Sequence, residues 1–153
     1  MTSKEGRELV PADSPIASQA GMRMFFAIGV EAGWDFWNFD ARTAFLKQDE
    51  LYMDERRQKL YLEPPVELRS SPDEIWETLK VPYGCTDAPR AWYFTFAKWL
   101  CDQGGHALPN DMCIYTFYEH GVLVGQLIVH VDDGILAWTP EFLAKMSTKL
   151  KTR

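Results

Sequence analysis

Long apolar runs, paired-cysteine spacings and an excess of positive charge are all missing from this sequence. No apolar stretch reaches the length needed to span a bilayer, and the opening "MTSKEGRELVPADSP" lacks the apolar core of a signal peptide. The three cysteines, Cys85, Cys101 and Cys113, are odd in number and show no CxxC spacing, so neither a disulfide framework nor a zinc site is indicated. Net charge is −6, which excludes a polycation drawn to nucleic acid by bulk attraction. Basic clusters at Arg56, Arg57 and Lys59, and at Lys145, Lys149, Lys151 and Arg153, read as solvated faces. These absences point to a soluble intracellular chain. What is present supports a folded one: 153 residues, 46% hydrophobic with six tryptophans, are enough for a single domain with its own core.

Residues 1–13 form a polar lead-in. Ser14-Pro15 then has the form of an N-cap followed by proline in the first turn. With Ile16, Ala20, Met24, Ala27 and Ile28 at helical spacing, it predicts a helix over about 15–32, ending near Gly33. "WDFWNFD" alternates and is aromatic, which predicts a strand ending at Asp40. Residues 47–58 are charged without a stripe and read as a loop or exposed excursion. Short strands are expected at "LYLEPP", stopped by Pro64-Pro65, and over Ile75–Lys80. "TDAPRAWYFTFAKWLCDQGG" carries an apolar stripe of Trp92, Tyr93, Phe96, Trp99 and Leu100, with Pro89 near its start and Gly104-Gly105 as its stop. Strands at Cys113–Tyr118 and Val122–Val131 follow, then Ile135–Trp138. The near-continuous apolar run Leu127–Val131 suits a strand covered on both faces. Thr139-Pro140-Glu141 opens a last helix. This order implies an α+β fold, an antiparallel sheet with its helices on one face.

"HVDDGILA" places Asp132 and Asp133 side by side between apolar runs. Taken alone, Asp132-Asp133-Gly134 is a hairpin signal, and a plain solvent-facing turn is the favoured reading. Two considerations weigh against it. Adjacent like charges raise one another's pKa unless a cation is near, and Asp40 ends a second aromatic strand. Were the two strands neighbours, three carboxylates would meet at one sheet edge, a hard-oxygen set suited to Mg²⁺ or Mn²⁺. Two such ions can stabilise the attacking and leaving oxygens of an in-line phosphoryl transfer.

Four ordered motifs, "NFDARTAFL", "LYLEPP", "YGCTDAPRAWY" and "HVDDGILA", resemble the copia-type reverse transcriptase of long-terminal-repeat retrotransposons, and "SPIASQAGMRMFFAIGVEAGW" resembles the helix before that family's first aspartate. The likeness covers roughly residues 13–150. It implies a polymerase palm with part of the fingers over 14–153, RNA-directed DNA polymerase activity, two Mg²⁺ (or Mn²⁺), a primer–template of RNA or DNA, and deoxynucleotides. It also implies membership of a larger Gag-Pol-type polyprotein and a cytoplasmic location in virus-like particles. Asp40 and Asp132 match the principal metal ligands, and Asp133 the third acid. Phe45 matches an aromatic gate whose ring edge would clash with a ribose 2′-hydroxyl; a core phenylalanine is the alternative. Tyr83, Gly84, Pro89 and Arg90 match the segment lining nucleotide and template, although Arg90 also suits a surface helix start.

Departures from the pattern are concentrated near that site. Asp87 stands where the family usually has glutamine, His130 where it has tyrosine, and Cys85 and Thr86 replace leucine and a basic residue. A carboxylate at 87 can still accept from a 3′-hydroxyl but adds negative charge beside phosphates. The basic fingers hairpin, the thumb and the ribonuclease H of the family have no counterpart in the sequence, and phosphate contacts supply most of the grip on a duplex. The resemblance therefore leaves two functional readings: a two-metal nucleotidyl-transfer core, or a folded remnant that is inactive or serves as a binding module. In a third, the acids sit in a turn and never meet.

Overall fold

The computed structural model describes residues 14–41, 44, 61–79 and 88–151. Seven strands and three helices are present among them: α1 (Gln19–Glu31), β1 (Asp35–Asp40), β2 (Tyr61–Leu62), β3 (Trp76–Glu77), α2 (Ala88–Asp102), β4 (Gly105–Leu108), β5 (Asp111–Glu119), β6 (Val122–His130), β7 (Asp133–Trp138) and α3 (Pro140–Lys151). Five strands form one antiparallel sheet in the order β1-β7-β6-β5-β4, and β2 pairs with β3 in a separate ribbon. The chain thus builds β4 to β7 as consecutive hairpins. It lays β1, made far earlier in sequence, along the open edge of β7.

The fold class expected from sequence, α+β on an antiparallel sheet, is present; the placement of helices on one face is corrected. Opposed residues in a ladder share a face and neighbours alternate. Phe36 meets Phe25 of α1, with ring centroids 5.8 Å apart. Phe39, three residues on and so on the other face, meets Phe96 of α2 at 5.7 Å. Phe142 of α3 packs on Trp138 and Phe117, on the face that α2 covers. Helix α1 therefore covers one side, and α2 with α3 the other. That is why Leu127, Ile128 and Val129 are all buried although they alternate.

The helix ends follow local chemistry, with one correction. Helix α3 starts as expected, with Pro140 its first residue and Thr139 Oγ1 accepting from Phe142 N at 3.3 Å. Helix α1 does not start at Ser14-Pro15. Its cap is Ser18, whose Oγ accepts from Gly21 N at 3.0 Å, while Ser18 N donates to Asp111 Oδ2 at 2.8 Å. A serine tethered to β5 fixes the helix start better than one with proline beside it, so the first turn is delayed by four residues. Strand β4 was not expected. Gly104, with φ 88°, ends α2 as anticipated, but Gly105 already pairs with Phe117. On α2, Trp92, Tyr93, Phe96 and Leu100 are buried as their stripe requires, and Tyr93 donates its hydroxyl to Met112 O at 2.9 Å. Cys101 and Cys113 are free thiols. Burial pushes Cys113 up to about 11, which keeps it a protonated core residue.

Candidate active site at the β1–β7 edge

The carboxylates of interest stand where three strands end together. In the ladder Asp40 lies directly opposite Asp133, and Asp133 directly opposite His130. Ala41 N donates to Asp132 O at 2.8 Å, so the chain just after β1 is fastened to the turn between β6 and β7. The strand adjacency that the sequence left conditional is present: β1 is the neighbour of β7, and its register sets the backbone of Asp40 opposite that of Asp133. Asp40 and Asp133 are exposed and share the face that α1 covers further along; Asp132 is half-buried in the turn.

The turn differs from the one expected. Its two central residues are Val131 and Asp132, not the Asp-Gly pair, because Asp133 and Gly134 already belong to β7. Val131 has φ 56°. A β-branched residue there is an outlier, since its side chain crowds the backbone in the left-handed region. Gly134 is needed for close approach instead. A Cβ on it would run into the ring of Phe39, its cross-strand partner, and come within 2.5 Å of Ile128 O. Backbone strain of this sort clusters where a function over-determines the chain. Trp92 Nε1 donates to Val131 O at 2.9 Å, tying the turn to α2.

Electrostatically the site is one-sided. Among the described residues no lysine or arginine forms an ion pair with Asp40, Asp132 or Asp133. Like charges directly opposed on a sheet destabilise it. Beside the pair a cavity of about 490 Å³ is lined by Ile16, Met22, Phe26, Ile128 and Ile135, with Asn38, His130 and Asp133 at its polar end. No group of three or more histidine, cysteine or carboxylate side chains is gathered as a metal cage among the described residues. The backbones converge; a closed ligand set is not formed.

The remaining candidates divide in two. Pro89 and Arg90 lie in the first turn of α2, both half-buried, and the Arg90 guanidinium sits over the Phe94 ring at 5.1 Å from its centroid. Phe45, Tyr83, Gly84 and Asp87 lie outside the described residues. The left-handed Val131 was not expected from sequence; Trp92, like Tyr93, matches the family segment that lines nucleotide and template, with its periodicity favouring a core position. Nothing in residue spacing betrays a left-handed valine, and Trp92 and Tyr93 are buried as their periodicity implies.

A family model described as reverse transcriptase (RNA-dependent DNA polymerase) matches residues 3–151. The chain belongs to the reverse transcriptase family. The copia-type likeness expected from sequence is supported by curated relatives, which are Pol polyproteins from plant transposons. The chain is 25% identical over 146 residues to the retrovirus-related Pol polyprotein from transposon RE2 of Arabidopsis thaliana, covering 93% of this chain and 9% of that one. Against the corresponding polyprotein from transposon TNT 1-94 of Nicotiana tabacum it is 25% identical over 137 residues, covering 87% of this chain and 10% of the other. This reverse transcriptase domain therefore spans about a tenth of the length of the polyproteins it matches. No solved structure matches it. Among its described residues no helix is long and apolar enough to cross a membrane.

Proposed function

We propose that the chain carries the nucleotidyl-transfer centre of an RNA-directed DNA polymerase, with Asp40, Asp132 and Asp133 as its divalent-cation ligands. The observation that supports this most is the register: Asp40 faces Asp133 across the β1–β7 ladder, beside a turn held in a conformation valine avoids. Two carboxylates with no ion-pair partner among the described residues, opposed at an exposed sheet end, are costly without a cation and are hard-oxygen donors that suit Mg²⁺ or Mn²⁺. The donor chemistry of the three acids fits such ions, although the described side chains are not gathered into a closed set. Bound there, divalent ions would neutralise charge on the attacking and leaving oxygens.

The chain's own part in the reaction is positioning and field. The 3′-oxygen of a primer attacks the α-phosphorus of a deoxynucleoside triphosphate; the new P–O bond forms as the bond to pyrophosphate breaks. Asp40 and Asp133 supply fixed negative charge from two different strands, and the Val131-Asp132 turn fixes where Asp132 stands relative to them. A preset arrangement costs no reorganisation at the moment of reaction. Phe45 is assigned as the gate against ribose, and Tyr83, Gly84, Asp87, Pro89, Arg90 and His130 as the lining for nucleotide and primer–template. His130, exposed opposite Asp133, is assigned to the primer side of the acids. The partners are a template–primer, deoxynucleotides and the remainder of a larger polyprotein.

A second reading keeps the fold and drops the chemistry: a folded remnant or binding module. The substitutions at Asp87 and His130 favour it, as does the open arrangement of the three acids. Primer extension separates the two. With an RNA template, a DNA primer and Mg²⁺ or Mn²⁺, extension that disappears in Asp132→Asn supports the polymerase. A correctly folded chain that extends nothing under either ion leaves the remnant.

A further inference from the structure

We propose that Trp92 is the positioning residue of the acid-bearing turn: through the Val131 carbonyl its indole N–H holds the left-handed backbone on which Asp132 is presented. The functional consequence rests on the metal-holding reading above; the mechanical claim stands on geometry alone.

A valine at φ 56° persists only if its surroundings over-determine it. The turn is tied from two sides. Asp132 O accepts from Ala41 N at 2.8 Å, and Val131 O accepts from Trp92 Nε1 at 2.9 Å. The second tie comes from a side chain that has little freedom of its own. Trp92 is 2% exposed, and its ring stacks on Phe96, centroids 5.4 Å apart and 12° from parallel. Phe96 in turn meets Phe39, the neighbour of Asp40 in β1, at 5.7 Å.

One packed path therefore runs from Asp40 through Phe39, Phe96 and Trp92 to Val131 and Asp132. It links two acids that lie 92 positions apart in the sequence. Helix α2 contributes to the site a ruler between its two halves, beyond any lining residue at its start. Trp92 touches neither primer nor nucleotide in this account. It acts on Asp132 only through the backbone of Val131.

A buried indole usually finds an acceptor whatever the function, so the experiment must separate holding a strained turn from filling the core. The variant Trp92→Phe keeps the ring stack and removes the donor; a benzothienyl analogue of tryptophan at position 92 does the same with almost unchanged shape, should the phenylalanine variant fold poorly. Two quantities are read on the whole chain: amide hydrogen exchange along the sheet, and Mn²⁺ affinity by calorimetry. Loss of one hydrogen bond predicts exchange about five- to tenfold faster at Asp132 and Asp133, with Ile114 and Leu127 unchanged, and Mn²⁺ binding weakened by a similar factor. Repeating the substitution in Val131→Gly, where the left-handed backbone is no longer penalised, should leave less than about a twofold effect on either.

Faster exchange spread evenly over the sheet, an equal loss in the glycine background, or no loss in the parent overturns the proposal. Should the unsubstituted chain bind no Mn²⁺, the metal-holding reading fails, and the exchange cycle alone still decides the role of Trp92.

Discussion

Two hairpins of the same sheet, made from consecutive strands, are turned by two residues each and obey opposite rules. Between β5 and β6 the turn is His120-Gly121, both with positive φ (50° and 79°), and glycine takes the second place where no side chain is welcome. Between β6 and β7 it is Val131-Asp132, with a β-branched residue at φ 56° and an acid beside it. The first turn is built for stability. The second carries local strain, and on the proposed function that strain sets an aspartate next to a strand that carries another. The contrast is in residue type: both turns carry a non-glycine residue at positive φ, but only the one bordered by Asp40, Asp132 and Asp133 puts a β-branched side chain there.

The comparison can be sharpened most strongly through activity. Asp132→Asn should lower primer extension by at least about a hundredfold, the scale lost when a preset charge leaves a reaction centre. His120→Asn in the other turn should leave extension unchanged. Equal losses would make the two turns equivalent and remove the distinction.

Folding stability gives the next effect. Gly134→Ala must push Phe39 and the Ile128 carbonyl aside and should cost about 1–3 kcal/mol in urea unfolding. Gly121→Ala has open space around it and bears only the left-handed penalty, about 1–2 kcal/mol, so it should fall at or below the lower half of that range.

A smaller effect, of opposite sign, is expected at the strained residue. Val131→Gly should stabilise the fold by about 0.5–1 kcal/mol, strain relief less the entropy of glycine. Extension should fall in the same variant as Asp132 loses its fixed position. His120→Gly should stay within about 0.5 kcal/mol of the parent. Destabilisation by Val131→Gly would show that the valine is there for packing.

The smallest expected effect concerns the opposed acids. Without divalent ions, Asp40→Asn should raise stability by about 0.2–1 kcal/mol through loss of the Asp40–Asp133 repulsion. Added Mn²⁺ should erase or reverse that advantage.

How far the sequence disclosed this arrangement varied with the range of the interaction involved. Local signals succeeded where only local chemistry was at stake: Thr139-Pro140 opens α3, Gly104 ends α2, and the stripe on α2 is buried except for the half-buried Trp99. They failed where a distant residue intervened. Ser18 replaced Ser14 as the cap because Asp111, on β5, fastens it. Asp132-Asp133-Gly134 looked like a turn, but Phe39 lies over Gly134 and draws it into the strand. Strand β4 was hidden because two adjacent glycines read as one stop signal, whereas Gly105 pairs with Phe117. The helices on both faces were foreshadowed by the unbroken run Leu127–Val131, which needs cover on each side; the one-face expectation overlooked it. For the site, spacing alone left the adjacency of the two strands conditional, and the ladder register sets Asp40 opposite Asp133.

Mn²⁺ titration of the purified chain, followed by calorimetry and set against Asp40→Asn and Asp132→Asn, tests the central claim most directly. Saturable binding by the parent, weakened by each single substitution although the two acids come from different strands, is the predicted result. Identical heats in all three proteins would contradict it.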